Sequence, residues 1–112
     1  MFDRDLIRSI ASPVILKLLA ERHMYGYEII KTVNERTDGR FQWKEGTLYP
    51  CLHRLESDGL IESEWQVSES NRKRKYYHIT KKGEALLTDK VSEWGQFTEA
   101  VNQVLYFQPK EA

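Results

Sequence analysis

From Leu6 onward, apolar residues fall at positions 6/7, 10/11, 14/15 and 18/19, the i, i+4 stripe of a helix with one buried face, predicting a first helix that runs to about Glu21. Ser12 and Pro13 interrupt it, because a proline inside a helix removes a hydrogen bond and crowds the previous turn. The stripe continues across them, so one bent helix accounts for the pattern better than a shorter one capped by Ser12. Gly26 opens a second helix with Ile29, Ile30 and Val33 as its apolar side, which Thr37, Asp38 and Gly39 end after Arg36. Residues 41–43 read as a brief extended segment. A third helix is marked by Leu48, Leu52 and Leu55, with Gly59 as its stop; Pro50 fits in its first turn, which places the start at 45–47.

Beyond Gly59 the period changes to two. Ile61, Trp65 and Val67 lie on one side of a strand, and Tyr77 with Ile79 on one side of another, separated by the polar stretch 68–73. This predicts a β-hairpin. Thr80 then offers an N-cap, and with no proline before Pro109 a long helix of about 25 residues follows. Its stripe of Leu87, Val91, Trp94, Thr98, Val101 and Leu105 alternates steps of four and three, a heptad-like seam widened by Phe97 and Val104. The fold class expected is mainly α with a small β-hairpin: a winged helix-turn-helix over 1–80, a dimerisation helix over 81–107 and a tail over 108–112.

The length of 112 residues leaves room for one modest core and no second domain. Aliphatic runs are short: the one at 14–16 ends at Lys17, far from the roughly 20 residues of a membrane span. With no secretory segment apparent, the expected location is the cytoplasm. The single cysteine, Cys51, sits among Leu48, Leu52 and Leu55 and reads as a buried thiol. His23, His53 and His78 are dispersed and no metal-ligand spacing or nucleophile motif occurs, so neither an enzyme, a metal site nor a cofactor is expected.

Charge changes the picture through its distribution. Seventeen basic and seventeen acidic residues cancel, yet Arg72, Lys73, Arg74, Lys75, Lys81 and Lys82 place six cations and no acid within 72–82. A basic hairpin on an acidic body suits phosphate contact, helped by the neighbouring Tyr76. With its leucines turned inward, the third helix leaves Thr47, Tyr49, Pro50, His53 and Arg54 largely outside for base edges and phosphates. The amide groups at Gly46 and Thr47 suit a phosphate at the helix start. The expected partner is double-stranded DNA; the alternative is a winged helix that binds a partner protein, since a fold does not settle function. The seam is too long and apolar for a three-helix body to cover, so a homodimer is expected through Leu87, Val91, Trp94, Val101 and Leu105, with the first helix on the other side.

Three segments together resemble the PadR-like transcriptional regulators: His23-Met24-Tyr25-Gly26-Tyr27-Glu28-Ile29; Gly46-Thr47-Leu48-Tyr49-Pro50 with Leu52, Arg54, Leu55, Glu56 and Gly59; and Arg74-Lys75-Tyr76-Tyr77-His78-Ile79-Thr80. The resemblance covers nearly the whole chain. It implies a homodimeric repressor reading a palindromic operator. The single short C-terminal helix is similar to that of multidrug-binding members, which implies a flat pocket between subunits for a planar aromatic or cationic effector. Trp94 would form its wall, joined by Ile7, Ala11, Phe97 and Val101. Two departures stand out: Ser70-Asn71 replaces the glycine pair common before the basic run, and His78 stands where arginine is frequent.

Overall fold

A computed structural model describes residues 2–110. The elements follow in the order α1 (Arg4–Glu21), β1 (Met24–Tyr25), α2 (Gly26–Arg36), α3 (Glu45–Ser57), β2 (Ile61–Val67), β3 (Lys73–Ile79) and α4 (Lys81–Leu105), the winged helix-turn-helix with a C-terminal helix that the sequence predicts. Residues 111–112 of the expected tail lie outside the described residues. No helix among those described is long and apolar enough to cross a membrane.

Asp3 starts α1 by accepting a hydrogen bond from the Asp5 N–H at 2.9 Å, and the helix runs through Pro13 as one element. Its stripe buries Ala11, Ile15, Leu16, Leu18 and Leu19 against Ile29 and Val33 of α2 and Leu48, Leu52 and Leu55 of α3. Each fully buried Leu or Ile contributes about 1.5–3 kcal/mol, so these three facing stripes carry the fold. Cys51 lies in the same core, its Sγ 3.5 Å from the Ser12 hydroxyl.

The structure adds to two expectations and corrects two. The hairpin is part of a three-stranded antiparallel sheet in the order β1-β3-β2, with Met24 paired to Tyr77 and Tyr25 to Tyr76. Two residues are too few to show a period, so β1 leaves no pattern in the sequence. Trp65 and Val67 share a face with Ile61 but only Ile61 is buried, because the body ends before the hairpin does. Pro50 is the sixth residue of α3 rather than a first-turn residue. The hydrogen bond it forgoes would end on the Gly46 carbonyl, at an exposed helix start where water can replace it. Finally, α4 ends at Leu105, where Tyr106 caps it with an N–H donated to the Asn102 carbonyl at 2.9 Å.

The junction from α3 to α4 is tightly bonded. Gly59 takes a left-handed φ of 74° that ends α3. The Thr80 hydroxyl donates to the Gly59 carbonyl at 2.8 Å and accepts from the Gly83 N–H at 3.1 Å, while the Thr80 N–H donates to the Leu60 carbonyl at 3.1 Å. Lys82 adds an ammonium bond to the Asp58 carbonyl at 2.8 Å.

Candidate nucleic-acid interface

The packing of α3 decides which of its side chains face out. Leu48, Cys51, Leu52 and Leu55 turn inward, leaving Gly46, Pro50, His53 and Arg54 exposed and Thr47 half-buried. Arg54 reaches back to the Cys51 sulfur at 3.7 Å. Tyr49 departs from expectation. It is half-buried, with its hydroxyl and ring edge against Gly26, so that the glycine is needed to admit the ring. A tyrosine that fills the gap between α3 and the start of α2 is committed to packing, and helical periodicity alone does not reveal this.

The wing turns through residues 68–72, with the Ser68 N–H donating to the Arg72 carbonyl at 2.8 Å and the Asn71 N–H to the Ser68 carbonyl at 2.9 Å. Asn71 has φ 60°, the left-handed region that glycine usually supplies and asparagine tolerates, which explains how Ser70-Asn71 closes a turn without a glycine pair.

The cations of the wing divide by the alternation of β3. Arg72 and Lys73 at the tip are exposed and form no ion pair among the described residues. Arg74 lies over the Tyr25 ring at 4.2 Å, and Tyr76 meets that ring edge-on at 5.3 Å. Lys75 points to the opposite face, 3.8 Å from a Glu56 carboxylate oxygen. Glu56 also accepts a hydrogen bond from Ser63, so this carboxylate of α3 braces both strands. His78 pairs with Glu62 at 3.3 Å and stacks obliquely on His23 at 5.0 Å. Tyr77, between them in sequence, is buried; burial pushes its phenol above its ordinary range, reinforced by the nearby Glu56 charge. Tyr25 and Glu56 were not legible as wing supports, because neither the two-residue strand nor the α3–sheet contact has a sequence period.

A cavity of about 580 Å³ opens between α1, α2 and α4, walled by Ile7, Ile10, Val14, Val33, Val91 and Trp94. Of the residues expected at an effector pocket, Ile7 and Trp94 line this cavity. Ala11 is buried in the core beneath, while Phe97 lies farther along α4 beside Trp94, with ring centroids 6.4 Å apart, and Val101 lies a turn beyond it. Of the seam residues, Leu87 is half-buried against the chain's own core; Val91, Trp94 and Leu105 are exposed and Val101 is half-buried. At the foot of the cleft Glu21 takes ion pairs from Arg36 and Lys17, and the Arg36 guanidinium holds its carboxyl down at about 2.

The family model for the PadR-like transcriptional regulators matches residues 15–89, from the middle of α1 into α4. An uncharacterized protein of Lysinibacillus sphaericus is 40% identical over 102 residues, spanning 91% of this chain and 94% of that one. The transcriptional regulator Rv3488 of Mycobacterium tuberculosis is 35% identical over 86 residues, 77% of each chain. Among solved structures, a transcriptional regulator from Clostridium thermocellum superposes with a TM-score of 0.83 at 37% identity, covering 92% of this chain and 97% of the other. A PadR-like regulator from Bacillus cereus gives 0.79 at 32%, covering 93% and 99%. The matched segment takes in α2, α3, the hairpin and the start of α4, and this chain is a member of the PadR-like family of transcriptional regulators.

Proposed function

We propose that the protein represses transcription as a homodimer bound to a palindromic DNA operator, with α3 in the major groove and the wing on the phosphate backbone. The observation that carries this reading is the exposed pair Arg72 and Lys73, without an ion-pair partner among the described residues, at the wing tip of the same unit that exposes Gly46, Pro50, His53 and Arg54 on α3. In that role His53 and Arg54 read base edges and Gly46 presents its backbone amide to a phosphate, while Thr47, whose N–H already donates to the Lys44 carbonyl at 3.0 Å, offers its hydroxyl instead. Arg74, Lys75 and Tyr76 hold the wing in shape and contribute to its field. Tyr49 acts through the seating of α3 on α2.

Dimerisation is supported by α4. Val91, Trp94, Phe97, Val104 and Leu105 are all more than half exposed along a helix of 25 residues, a row of large apolar side chains of the kind that marks an interaction surface. A second copy laid along α4 and the cleft covers them. A planar aromatic effector stacked on Trp94 would relieve repression by favouring one arrangement of the two reading helices, and its differential affinity for the two arrangements limits its effect.

The test is binding to a pool of random duplexes, followed by sequencing of the retained DNA. A twofold-symmetric motif, bound with an affinity that falls steeply as salt rises, is the expected result. Absence of retained duplex, or retention that salt does not alter, overturns it.

A further inference from the structure

On the sheet face against which α3 packs, Ile61, Ser63, Trp65 and Val67 of β2 stand opposite Ile79, Tyr77, Lys75 and Lys73 of β3. The inner part of this ladder belongs to the body. Ile61 and Tyr77 are buried, and Ser63 and Lys75 both meet Glu56 of α3. One pleat farther out the pattern breaks, for Trp65 is 64% exposed and Val67 62%. The third strand pairs only with Tyr76 and Tyr77 and along the other edge of β3, so it gives these two residues no cover. An indole left in water contributes little to folding, and the core is complete without it.

The surroundings of Trp65 indicate what covers it. Lys75 is its cross-strand partner, Lys73 is the partner of Val67, and Arg72 follows at the tip. The result is a narrow apolar ledge on the side of the sheet from which α3 rises, bounded at its inner end by the Lys75–Glu56 pair and at its outer end by the cations Lys73 and Arg72. Its complement is a surface of apolar rings carrying regularly placed negative charge, and a deoxyribose-phosphate strand has that composition. A protein already seated through α3 and the wing tip brings this ledge to the same duplex.

We infer that Trp65 is a DNA-contact residue, its indole continued by Val67 and packed against the deoxyribose wall of the minor groove while Arg72 and Lys73 hold the adjoining phosphates. This rests on the DNA-binding reading above. The contact is apolar, so it adds affinity without adding to the salt dependence.

The experiment compares wild type, Trp65→Phe and Trp65→Ala for duplex binding across a salt series. It also measures iodide quenching in a Trp94→Phe background, where Trp43 is buried and Trp65 is the exposed tryptophan. Trp65→Ala should bind about tenfold more weakly with an unchanged salt slope, the loss expected for one aromatic face removed from an interface. Trp65→Phe should recover most of the affinity, and duplex should shield Trp65 from iodide. Equal affinity of wild type and Trp65→Ala, with no shielding, overturns the inference while leaving the DNA-binding reading intact. So does a smaller sedimenting mass for Trp65→Ala without DNA, which would assign the ledge to a second copy, or tighter wild-type binding to phosphatidylglycerol vesicles than to duplex. No duplex binding by wild type overturns the reading and the inference together.

Discussion

Gly83 in the first turn of α4 lies directly against the carbonyl oxygen of Leu60, and a Cβ at Gly83 would overlap that oxygen and press within 2.7 Å of Ile79 Cγ1. The neighbour is backbone, fixed by its bond from the Thr80 N–H, so it cannot swing aside. Gly83→Ala should therefore destabilise the fold by about 2 kcal/mol, despite alanine's better helix propensity. Thermal unfolding checks this, and a raised midpoint would show that the junction yields.

Glu21 joins the ends of α1 and α2 through Arg36. The Arg36 hydrogen bonds lower its carboxyl from the ordinary 4.5 to about 2, so the folded state binds this proton less readily than the unfolded chain does. The stabilisation is present above pH 4.5 and lost as pH falls towards 2. Glu21→Gln should lower the urea midpoint at pH 7 and converge on wild type in acid. A difference that stays constant between pH 7 and pH 2 contradicts the pairing.

Among the described residues Arg72 and Lys73 have no acidic partner to lose, so replacing both with alanine should leave stability unchanged. Affinity for all duplexes should fall, and the log–log salt slope should drop by about 0.9 for each phosphate contact removed. His53→Ala should instead change which duplexes are selected. The two effects are separable in one selection experiment run at two salt concentrations.

Val101→Glu with Leu105→Glu places two carboxylates per chain on the seam of α4. The pair should convert the proposed dimer to a monomer without unfolding it, since neither residue lies in the chain's own core. Light scattering at micromolar concentration reads the mass, and an intact dimer would locate the interface elsewhere.

The sequence foretold what repeats. The leucines of α3, the stripe of α1 and the alternation of β3 each recur often enough to define a face, and helices, hairpin and core follow from them. Single encounters between distant segments left no such trace. Tyr49 falls on the outward arc of α3 by spacing alone, and only the notch at Gly26 turns it into packing. Lys75 reads as one of four equivalent cations until the pleat turns it away from Arg74 and its pairing with Glu56 sets it apart from Arg72 and Lys73. Asn71 reads as the loss of a glycine, whereas its φ of 60° shows the turn preserved.

The bonds from Thr80 to the Gly59 and Leu60 carbonyls, and from Lys82 to the Asp58 carbonyl, tie the start of α4 directly to the end of α3 and so fix the angle between the two helices. In a dimer joined through α4, the distance between the two reading helices is then fixed by the angle at which the long helices cross. On the proposed operator, the spacer between half-sites would report that angle. Substitutions at the crossing should change the preferred spacer length while leaving the bases within each half-site unaltered.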